Sequence, residues 1–397
     1  MNAPRSNRVK QPLAIVGAST RSAAASAVRA GFQPLAADLF ADADLRAIAT
    51  ATRISPYPEG LADWLRAVEP PAWMYTGALE NYPELVDQMA WIAPLWGNPG
   101  DVLARVRSPW ELSRVLNDAG LLFPEIRESA DGLPMDGSWL VKTYQGASGS
   151  GVRVWDTERS TESEETPISR HRCCQKRIAG TPCAAVYAAT DGAAQLLGVT
   201  RQLIGEPWLG AHGFQYAGSI GPWPVSDAAR ATLVRLGNTL AAEFELIGLF
   251  GVDFILDGDD VWTLEVNPRY TASVEIVERM TGVSAIAKHA TACSGMQIKG
   301  RQNGIEDDAA REQIIACGKA ILFANHDIVI SQRFAEFALE GAQHSPWPPW
   351  ADISPAGTVI DTGRPILTLF AHGDSVEDVE NRLKSCAHAT LRNMEIE

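Results

Sequence analysis

Alternating apolar and polar positions predict a β-hairpin in the stretch "GVDFILDGDDVWTLEVN", residues 251–267. The turn signal "DGDD" separates two runs of period two. The apolar faces of the two runs meet only if paired residue numbers sum to an even value, so we predict a three-residue turn over 258–260. This register pairs Asp253 with Glu265. The predicted apolar face comprises Val252, Phe254, Leu256, Trp262, Leu264 and Val266.

The remaining pattern indicates an α/β protein. Residues 12–39 read as strand, turn, alanine-rich helix and second strand, which is a βαβ opening. Its turn has one glycine, so the pattern does not indicate a dinucleotide. Ser19 or Thr20 is expected to cap the helix, and a small substrate at the helix N-terminus stays open as an alternative.

Two further helices are well marked. Ser108 is the expected N-cap of a helix that Glu111 supports through a capping box and Gly120 ends. Residues 230–248 carry one apolar stripe and predict a second helix. The pattern then gives the following segments: a polar surface loop at 156–170, a linker at 295–311, strands and one helix over 312–397, and a proline-rich loop at 344–350.

Composition narrows the class of protein. The chain has 397 residues, 46% hydrophobic and 21% charged, which is ordinary for a globular protein of two or three domains. Its net charge of -14 disfavours a nucleic-acid partner. No apolar run has the ~18 residues of a membrane span, and the start reads as a tail followed by a buried strand. The six cysteines lack metal-site spacing and are typical of free thiols in a reducing cytoplasm.

The polar face of the hairpin carries candidate metal chemistry. Asp253 and Glu265 would repel each other across the strands, and Mg²⁺ between them would relieve this. Asn267 adds a neutral oxygen, and Arg269 faces the same way to meet anionic oxygens. The alternative is a solvated hairpin face with a stray acidic pair.

A phosphate site is expected upstream. Lys142 ends a strand and is followed by "TYQGASGSG", in which glycines let backbone N–H groups close over an anion. A plain glycine-serine linker is the alternative. The stretch "CCQKRIAGTPC" predicts a short strand that ends at Gly180 and offers its backbone to an adenine edge.

In this order, the features resemble the ATP-grasp superfamily: a strand lysine, a glycine loop, a hinge strand and an acidic hairpin with E-x-N-x-R. The chain's end also resembles the C-terminal domain of biotin-carboxylase-like members through a P-x-G-x-x-I-x-x-G-x-P pattern: Pro355, Gly357, Ile360, Gly363 and Pro365. The resemblance implies an ATP-grasp fold in three parts. These are an N-terminal Rossmann-like pre-ATP-grasp domain (1–104), a core (105–300) with a mobile cap at about 137–205, and a small β-rich C-terminal domain (311–397).

The resemblance also implies roles for individual residues. Arg269 and Lys142 would be the catalytic residues, and Arg269 would stabilise an acyl-phosphate or a tetrahedral intermediate. Mg²⁺, or Mn²⁺ in its place, would be held by Asp253 and Glu265, with Asn267 assisting. The residues expected to bind ATP are Lys142, Gln145, Gly146, Ser148, Gly149, Gly151, Gln175, Lys176 and Ile178.

Two departures from the family pattern bear on function. The usual first ATP lysine is missing, and Arg105 or Arg107 would take its place. After Arg269 the chain reads "YTASVE" instead of the Q-V-E that biotin carboxylases use on bicarbonate. The implied activity is therefore an ADP-forming ligase that joins a carboxylate to an amine, with carboxylation through carboxyphosphate and non-catalytic nucleotide binding as the alternatives.

The resemblance says less about the identity of the substrates than about the type of reaction. The chain resembles an ATP-grasp group associated with tetrahydromethanopterin-linked one-carbon metabolism, which suggests a pterin- or furan-type precursor as substrate. The loop 206–222 offers His212, Gln215 and Tyr216 to a polar substrate, or it is a flexible loop entering a strand. The expected partners are small molecules, and a dimer is compatible with the family.

Overall fold

The computed structural model describes residues 10–143, 146, 148–156, 172–295, 316–343, 345 and 347–395. Gln145 lies outside the described residues, as do most of the predicted surface loop and almost all of the predicted linker. No described helix combines the length and the apolarity that crossing a membrane requires.

The first part of the chain forms a four-stranded parallel sheet with helices around it. The sheet order is β3-β2-β1-β4, and β1 pairs with both β2 and β4. This confirms the predicted βαβ opening. Thr20 stands at the N-cap of α1, but its side chain makes no capping bond. The elements are β1 (Pro12–Gly17), α1 (Arg21–Arg29), β2 (Gln33–Asp38), α2 (Ala43–Ile48), β3 (Thr50–Arg53), α3 (Leu61–Val68), β4 (Trp73–Tyr75), α4 (Pro83–Ala90) and α5 (Gly100–Val106).

A small sheet of order β5-β8-β6-β7 follows one helix. Ser108 caps that helix as predicted, because its hydroxyl accepts a hydrogen bond from the Glu111 N–H at 3.3 Å. The predicted hinge strand ends at Lys176, four residues before Gly180. The elements are α6 (Pro109–Asp118), β5 (Ile126–Arg127), β6 (Asp136–Thr143), β7 (Val152–Asp156) and β8 (Arg172–Lys176).

An eight-stranded antiparallel sheet carries the rest of the fold, in the order β13-β12-β9-β10-β11-β14-β18-β16. β9 and β10, which the predicted cap includes, lie in this sheet and not in the small one. The elements up to residue 295 are β9 (Thr181–Thr190), β10 (Ala193–Ile204), β11 (Tyr216–Gly221), α7 (Asp227–Phe244), β12 (Gly248–Asp257), β13 (Asp260–Asn267), α8 (Val274–Thr281) and α9 (Ala285–Ser294).

The last part of the chain continues the same sheet, since β14 pairs with β11. Two helices accompany its strands, where the pattern predicted one. α11 packs on β14 and β18, and α10 packs near α2 of the first part. The elements are β14 (Ala316–Phe323), β15 (Ile328–Val329), α10 (Gln332–Gln343), β16 (Trp350–Ala351), β17 (Val359–Ile360), β18 (Pro365–Gly373) and α11 (Val376–Glu395).

The β12–β13 hairpin has the predicted register at the carboxylates and a different one at the turn. Asp253 pairs with Glu265, but Phe254 pairs with Thr263, so Leu264 is an extra residue at a β-bulge. The turn is therefore two residues long, and the predicted three-residue turn is wrong. The bulge adds one residue to β13, and this restores the predicted pairing of Asp253 with Glu265 despite the shorter turn. Beyond it, Val261 and Thr263 are buried, whereas the predicted Trp262 and Leu264 are only half-buried.

Candidate active site

The polar ends of β12 and β13 bring two carboxylates and an amide together. Asn267 is almost fully buried, and its Nδ2 donates to Asp253 Oδ2 at 3.0 Å and to Glu265 Oε1 at 3.4 Å. Gln202 on β10 donates to the other oxygen of Asp253 at 2.8 Å. The predicted acidic pair therefore lies on one face with donors around it.

The two carboxylates titrate differently. Burial, followed by repulsion from Glu265, raises the pKa of Asp253 to about 7. Burial opposes ionisation of Glu265 too, but the positive charges of Arg107 and Lys142 hold the pKa of Glu265 below its usual value. The two carboxylates therefore repel each other when both are ionised, and a bound cation would reduce this repulsion.

The donor set fits a hard divalent cation. Asp253 and Glu265 face each other from paired strand positions, and Mg²⁺ commonly binds through one or two carboxylates plus substrate phosphates. Asn267 turns its amide nitrogen towards the carboxylates, so the expected amide oxygen does not face the pair. Within the described parts of the chain, no group of three or more His, Cys, Asp or Glu side chains is arranged to hold a metal ion.

A narrow cleft opens beside Glu265, between α5–α6, the small sheet and β13. Lys142 of β6 donates to Gln175 Oε1 of the neighbouring β8 at 3.1 Å. Arg107 approaches Glu265 Oε2 at 3.9 Å and donates to Asn267 Oδ1 at 3.5 Å. The cleft is lined by Val106, Arg107, Pro109, Leu112, Lys142, Cys173, Gln175, Leu264, Glu265 and Val266.

The structure separates the two arginines proposed for the missing lysine. Arg107 belongs to the cleft, as above. Arg105 points away from it, because its guanidinium donates to the Glu243 carbonyl at 2.7 Å and lies over the Phe244 ring at the end of α7. Arg107 is therefore the arginine whose position suits an anionic ligand.

The described residues of the glycine loop lie against the loop before β11. The backbone carbonyl of Ser148 accepts a hydrogen bond from the Tyr216 N–H at 3.2 Å. Gly149 has a φ of +78°, and a Cβ there would lie 1.8 Å from the carbonyl oxygen of Phe214. Only glycine fits this contact.

Arg269 is held where the hairpin meets the first part of the chain. Its guanidinium pairs with Glu80 at 2.6 Å and donates to Asn267 Oδ1 at 3.2 Å. Burial disfavours its charge, but Glu80 and then the two hairpin carboxylates raise the pKa of Arg269. Asn267 thus bridges Arg269 and the carboxylate pair.

Comparison with known proteins identifies the core. Residues 106–273 match the ATP-grasp domain family. Residues 106–273 therefore form an ATP-grasp domain. The L-amino acid ligase from Bacillus licheniformis has a similar fold, with a TM-score of 0.66 and 16% identity over 96% of this chain and 97% of that one. The biotin carboxylase domain of the Hydrogenobacter thermophilus 2-oxoglutarate carboxylase, solved with MgADP and bicarbonate, has a TM-score of 0.64 at 14% identity over 94% of this chain and 88% of that one.

Sequence relatives match shorter segments. The carbamoyl phosphate synthase large chain of Ralstonia nicotianae is 27% identical over 54% of this chain and 21% of that protein. The curated relatives are matched over 7% to 29% of their own length. The superfamily and the fold predicted from the sequence are confirmed.

Other predicted ATP-grasp positions are more dispersed. Lys176 is exposed and Ile178 half-buried, and neither lines the cleft. His212 is exposed at the loop tip, whereas the Tyr216 hydroxyl lies 2.7 Å from Ser219 Oγ. These positions stay predictions.

Leu264 and Glu80 are among the residues of the candidate site that sequence reasoning missed. Leu264 lines the cleft because of the bulge, which no turn signal reveals. Glu80 follows β4 in "GALEN", and an acidic residue just beyond the carboxyl end of a buried strand was the available signal.

Proposed function

We propose that this protein is an ATP- and Mg²⁺-dependent, ADP-forming ligase that joins a carboxylate to an amine through an acyl-phosphate. The placement of Arg269 supports this most. The guanidinium shares Asn267 with the carboxylate pair, so a positive charge and a candidate metal site are aimed at one small region. Such an arrangement suits a reaction in which negative charge develops on transferred phosphate and on an acyl oxygen.

The reaction has two steps. The substrate carboxylate takes the γ-phosphoryl group of ATP, and ADP leaves. The amine nitrogen then bonds to the acyl carbon, the carbon–oxygen bond to phosphate breaks, and the departing phosphate takes the proton that the nitrogen sheds.

The chain's residues act by positioning and charge neutralisation. Lys142 and Arg107 meet the phosphates, and Arg269 meets the oxyanion of the tetrahedral intermediate. Asp253 and Glu265 would hold Mg²⁺, which supplies Lewis-acid neutralisation of phosphate charge when bound. The glycine loop, whose Ser148 and Gly149 lie against Tyr216 and Phe214, excludes water from the acyl-phosphate.

Carboxylation through carboxyphosphate is the second candidate. The fold similarity to a biotin carboxylase domain solved with MgADP and bicarbonate favours it. The stretch after Arg269 opposes it, because Ser273 stands where biotin carboxylases have the glutamine of Q-V-E. Its hydroxyl lies 3.4 Å from the Ser219 hydroxyl.

An ADP-release screen of carboxylic acids against amines tests the proposal. The acids should include pterin- and furan-type precursors, bicarbonate should be a separate arm, and Mg²⁺ should be compared with Mn²⁺. We expect ADP release that needs both an acid and an amine. Release with bicarbonate and no amine supports carboxylation, ATP binding without turnover supports a nucleotide-binding role, and AMP with pyrophosphate rejects both ligase and carboxylase.

Replacing Arg269 tests its role. Because a lysine keeps the charge but lacks the planar fork, Arg269→Lys should keep ATP binding and lose turnover by ~10²-fold or more. Calorimetry with Mg-ATP and ADP-release rates measure the two effects. Arg114→Lys, on the exposed face of α6, is the matched control and should leave both unchanged. Wild-type turnover in Arg269→Lys would remove Arg269 from the mechanism.

A further inference from the structure

Gln202 reaches Asp253 across a strand that separates them. β9 lies between β12, which carries Asp253, and β10, which carries Gln202. Neighbouring strands are about 4.8 Å apart, so the backbones of β10 and β12 are separated by about twice that distance. The Gln202 side chain nevertheless brings its Nε2 to 2.8 Å from Asp253 Oδ1 and donates a hydrogen bond there. A hydrogen bond across an intervening strand requires a long side chain and an open passage over that strand.

A small residue on β9 leaves this passage open. Asp253 pairs with Ala184, and Ala184 pairs in turn with Thr200 of β10, so these three side chains share one face of the sheet. Gln202 lies two positions beyond Thr200 and faces the same way. The Ala184 side chain ends at its Cβ. Thr200 does not cross the strand, since its buried hydroxyl has no hydrogen-bond partner among the described residues. The longer Gln202 is therefore the residue of β10 that bonds the carboxylate.

Two amide donors hold the two oxygens of Asp253. Asn267 of β13 is shared between the carboxylates, because its Nδ2 lies 3.0 Å from Asp253 Oδ2 and 3.4 Å from Glu265 Oε1. Gln202 of β10 bonds the remaining oxygen of Asp253. Glu265 repels this carboxylate from the paired position of β13, but rotating the carboxylate away would break at least one of the two bonds. The amides thus hold Asp253 against the repulsion of Glu265.

Regular structure holds the Gln202 donor in place. Gln202 pairs with Ser219 of β11, which is fully buried, so its strand is bordered by β9 on one side and β11 on the other. Side chains on the strands of a packed sheet are held more precisely than side chains on loops. Because Gln202 presents its nitrogen to Asp253, it acts on a candidate ligand of the cation and is not placed as a ligand itself.

We propose that Gln202 is a positioning residue of the divalent-cation site, which holds the carboxylate of Asp253 towards Glu265, and that Ala184 must be small for the Gln202 amide to reach. The inference rests on the proposed function, in which Asp253 and Glu265 hold Mg²⁺. Residues that orient a metal ligand without touching the metal commonly contribute about 10- to 100-fold to metal affinity. Gln202 acts before the cation arrives, by keeping Asp253 in the orientation that binding requires.

Binding of Mn²⁺ in the presence of ADP tests this role without turnover. Electron paramagnetic resonance measures free Mn²⁺ and so gives its Kd, and the line shape of the bound ion reports the symmetry of its ligands. Gln202→Met keeps the length of the side chain but removes the donor, and Gln202→Asn keeps the amide but is one methylene shorter. Ala184→Val fills the passage over β9. Gln195→Met, at an exposed position of the same strand, is the matched control.

We expect the Kd of Mn²⁺ to rise about 10- to 100-fold in Gln202→Met and Gln202→Asn, with a broader signal from the bound ion, and to stay unchanged in Gln195→Met. Ala184→Val should show the same loss. Combining it with Gln202→Met should add nothing, because both changes remove the same hydrogen bond. Wild-type affinity and line shape in the folded Gln202 variants overturn the positioning role. These two variants decide the question if Ala184→Val does not fold.

The ADP-release screen separates this inference from the proposed function. Wild-type protein that binds Mn²⁺, loses affinity in Gln202→Met and releases no ADP with any acid and amine would overturn the proposed ligase and support the role of Gln202. ADP release that needs an acid and an amine, with unchanged Mn²⁺ affinity in both Gln202 variants, would overturn the positioning role alone. Wild-type protein that binds no Mn²⁺ with ADP would overturn the cation site, and the role of Gln202 with it.

Discussion

The side-chain amide of Asn267 joins the charged groups of the site. Its oxygen accepts from Arg269 at 3.2 Å and from Arg107 at 3.5 Å, while its nitrogen donates to Asp253 and Glu265. The opposite orientation would place amide hydrogens against two guanidinium groups, so the surrounding charges fix which atom faces which partner. One residue thereby sets the positions of two cations and two anions.

Replacing the cleft cations tests the nucleotide site at this scale. Lys142→Ala and Arg107→Ala should each weaken Mg-ATP binding about 10- to 100-fold, since each removes a charged donor from the cleft that holds the phosphates in our proposal. Calorimetry measures the affinities. Arg105→Ala is the matched control, because Arg105 lies at the surface against α7 and should leave affinity unchanged. Equal losses at Arg105 and Arg107 would mean that net charge, and not cleft geometry, governs binding.

The bulge in β13 determines what the hairpin presents to the cleft. In a regular strand Leu264 and Glu265 would face opposite sides of the sheet. The extra residue breaks the alternation, so Leu264 and Glu265 both line the cleft beside the buried Val266, while Thr263 is buried away from the cleft lining. An apolar wall and a carboxylate thus stand side by side on one strand.

Leu264→Ala and Val261→Ala should separate the contribution of β13 to the cleft from its contribution to the core. Leu264 is half-buried in the cleft wall, so its truncation should weaken Mg-ATP binding with little loss of stability. Val261 is 2% exposed in the core, and its truncation should lower the free energy of unfolding by about 2 kcal/mol without changing the affinity of the folded protein. Denaturant unfolding and calorimetry report the two quantities. Loss of affinity in Val261→Ala alone would contradict the assignment of Leu264 to the cleft.

The periodicity of the sequence predicted individual strands and helices, but not the contacts between distant parts of the chain. The pairing of Asp253 with Glu265 followed from alternation, because only one parity keeps both apolar faces buried. A two-residue turn with a bulge gives the same pairing of Asp253 with Glu265 as a three-residue turn without one. The sequence alone could not distinguish these two hairpins. Glu80 and Arg269 are far apart in sequence, and their contact depends on how β4 packs beside the hairpin, which no local pattern encodes.

At the scale of the whole molecule, buried charges join the three parts of the chain. Glu275 on α8 accepts from Arg21 of α1 at 2.6 Å and 3.0 Å and lies 3.6 Å from Lys319 of β14. Asp352, beyond β16, accepts from the same Arg21 at 3.0 Å. Each partner compensates the burial of the others, so the first, central and last parts of the chain depend on one another for their charge balance.

His289 also connects the central part of the chain to the first part, and it should make the stability of the protein depend on pH. Its Nδ1 accepts from the Leu249 N–H of β12 at 2.9 Å, and its Nε2 lies 3.1 Å from the Trp96 carbonyl of the first part. Burial lowers the pKa of His289 to about 4. The folded protein therefore keeps the imidazole neutral while the unfolded chain binds a proton below its ordinary pKa of 6.5.

The sign of the effect follows from this difference. The stability contributed by a neutral His289 is fully present above pH 6.5 and is lost as pH falls towards 4, with a limit of about 3 kcal/mol. Asp42 and Asp44 act oppositely, because burial raises their pKa values to about 8 and about 6, so the wild-type slope alone is not diagnostic. The difference between His289→Gln and wild type isolates the histidine, since glutamine can accept and donate but does not titrate. Urea unfolding from pH 4 to 7.5 should show the free energy of unfolding of the variant rising relative to that of the wild type as pH falls below 6.5. A constant difference across that range would mean that His289 has the same pKa in the folded and the unfolded protein.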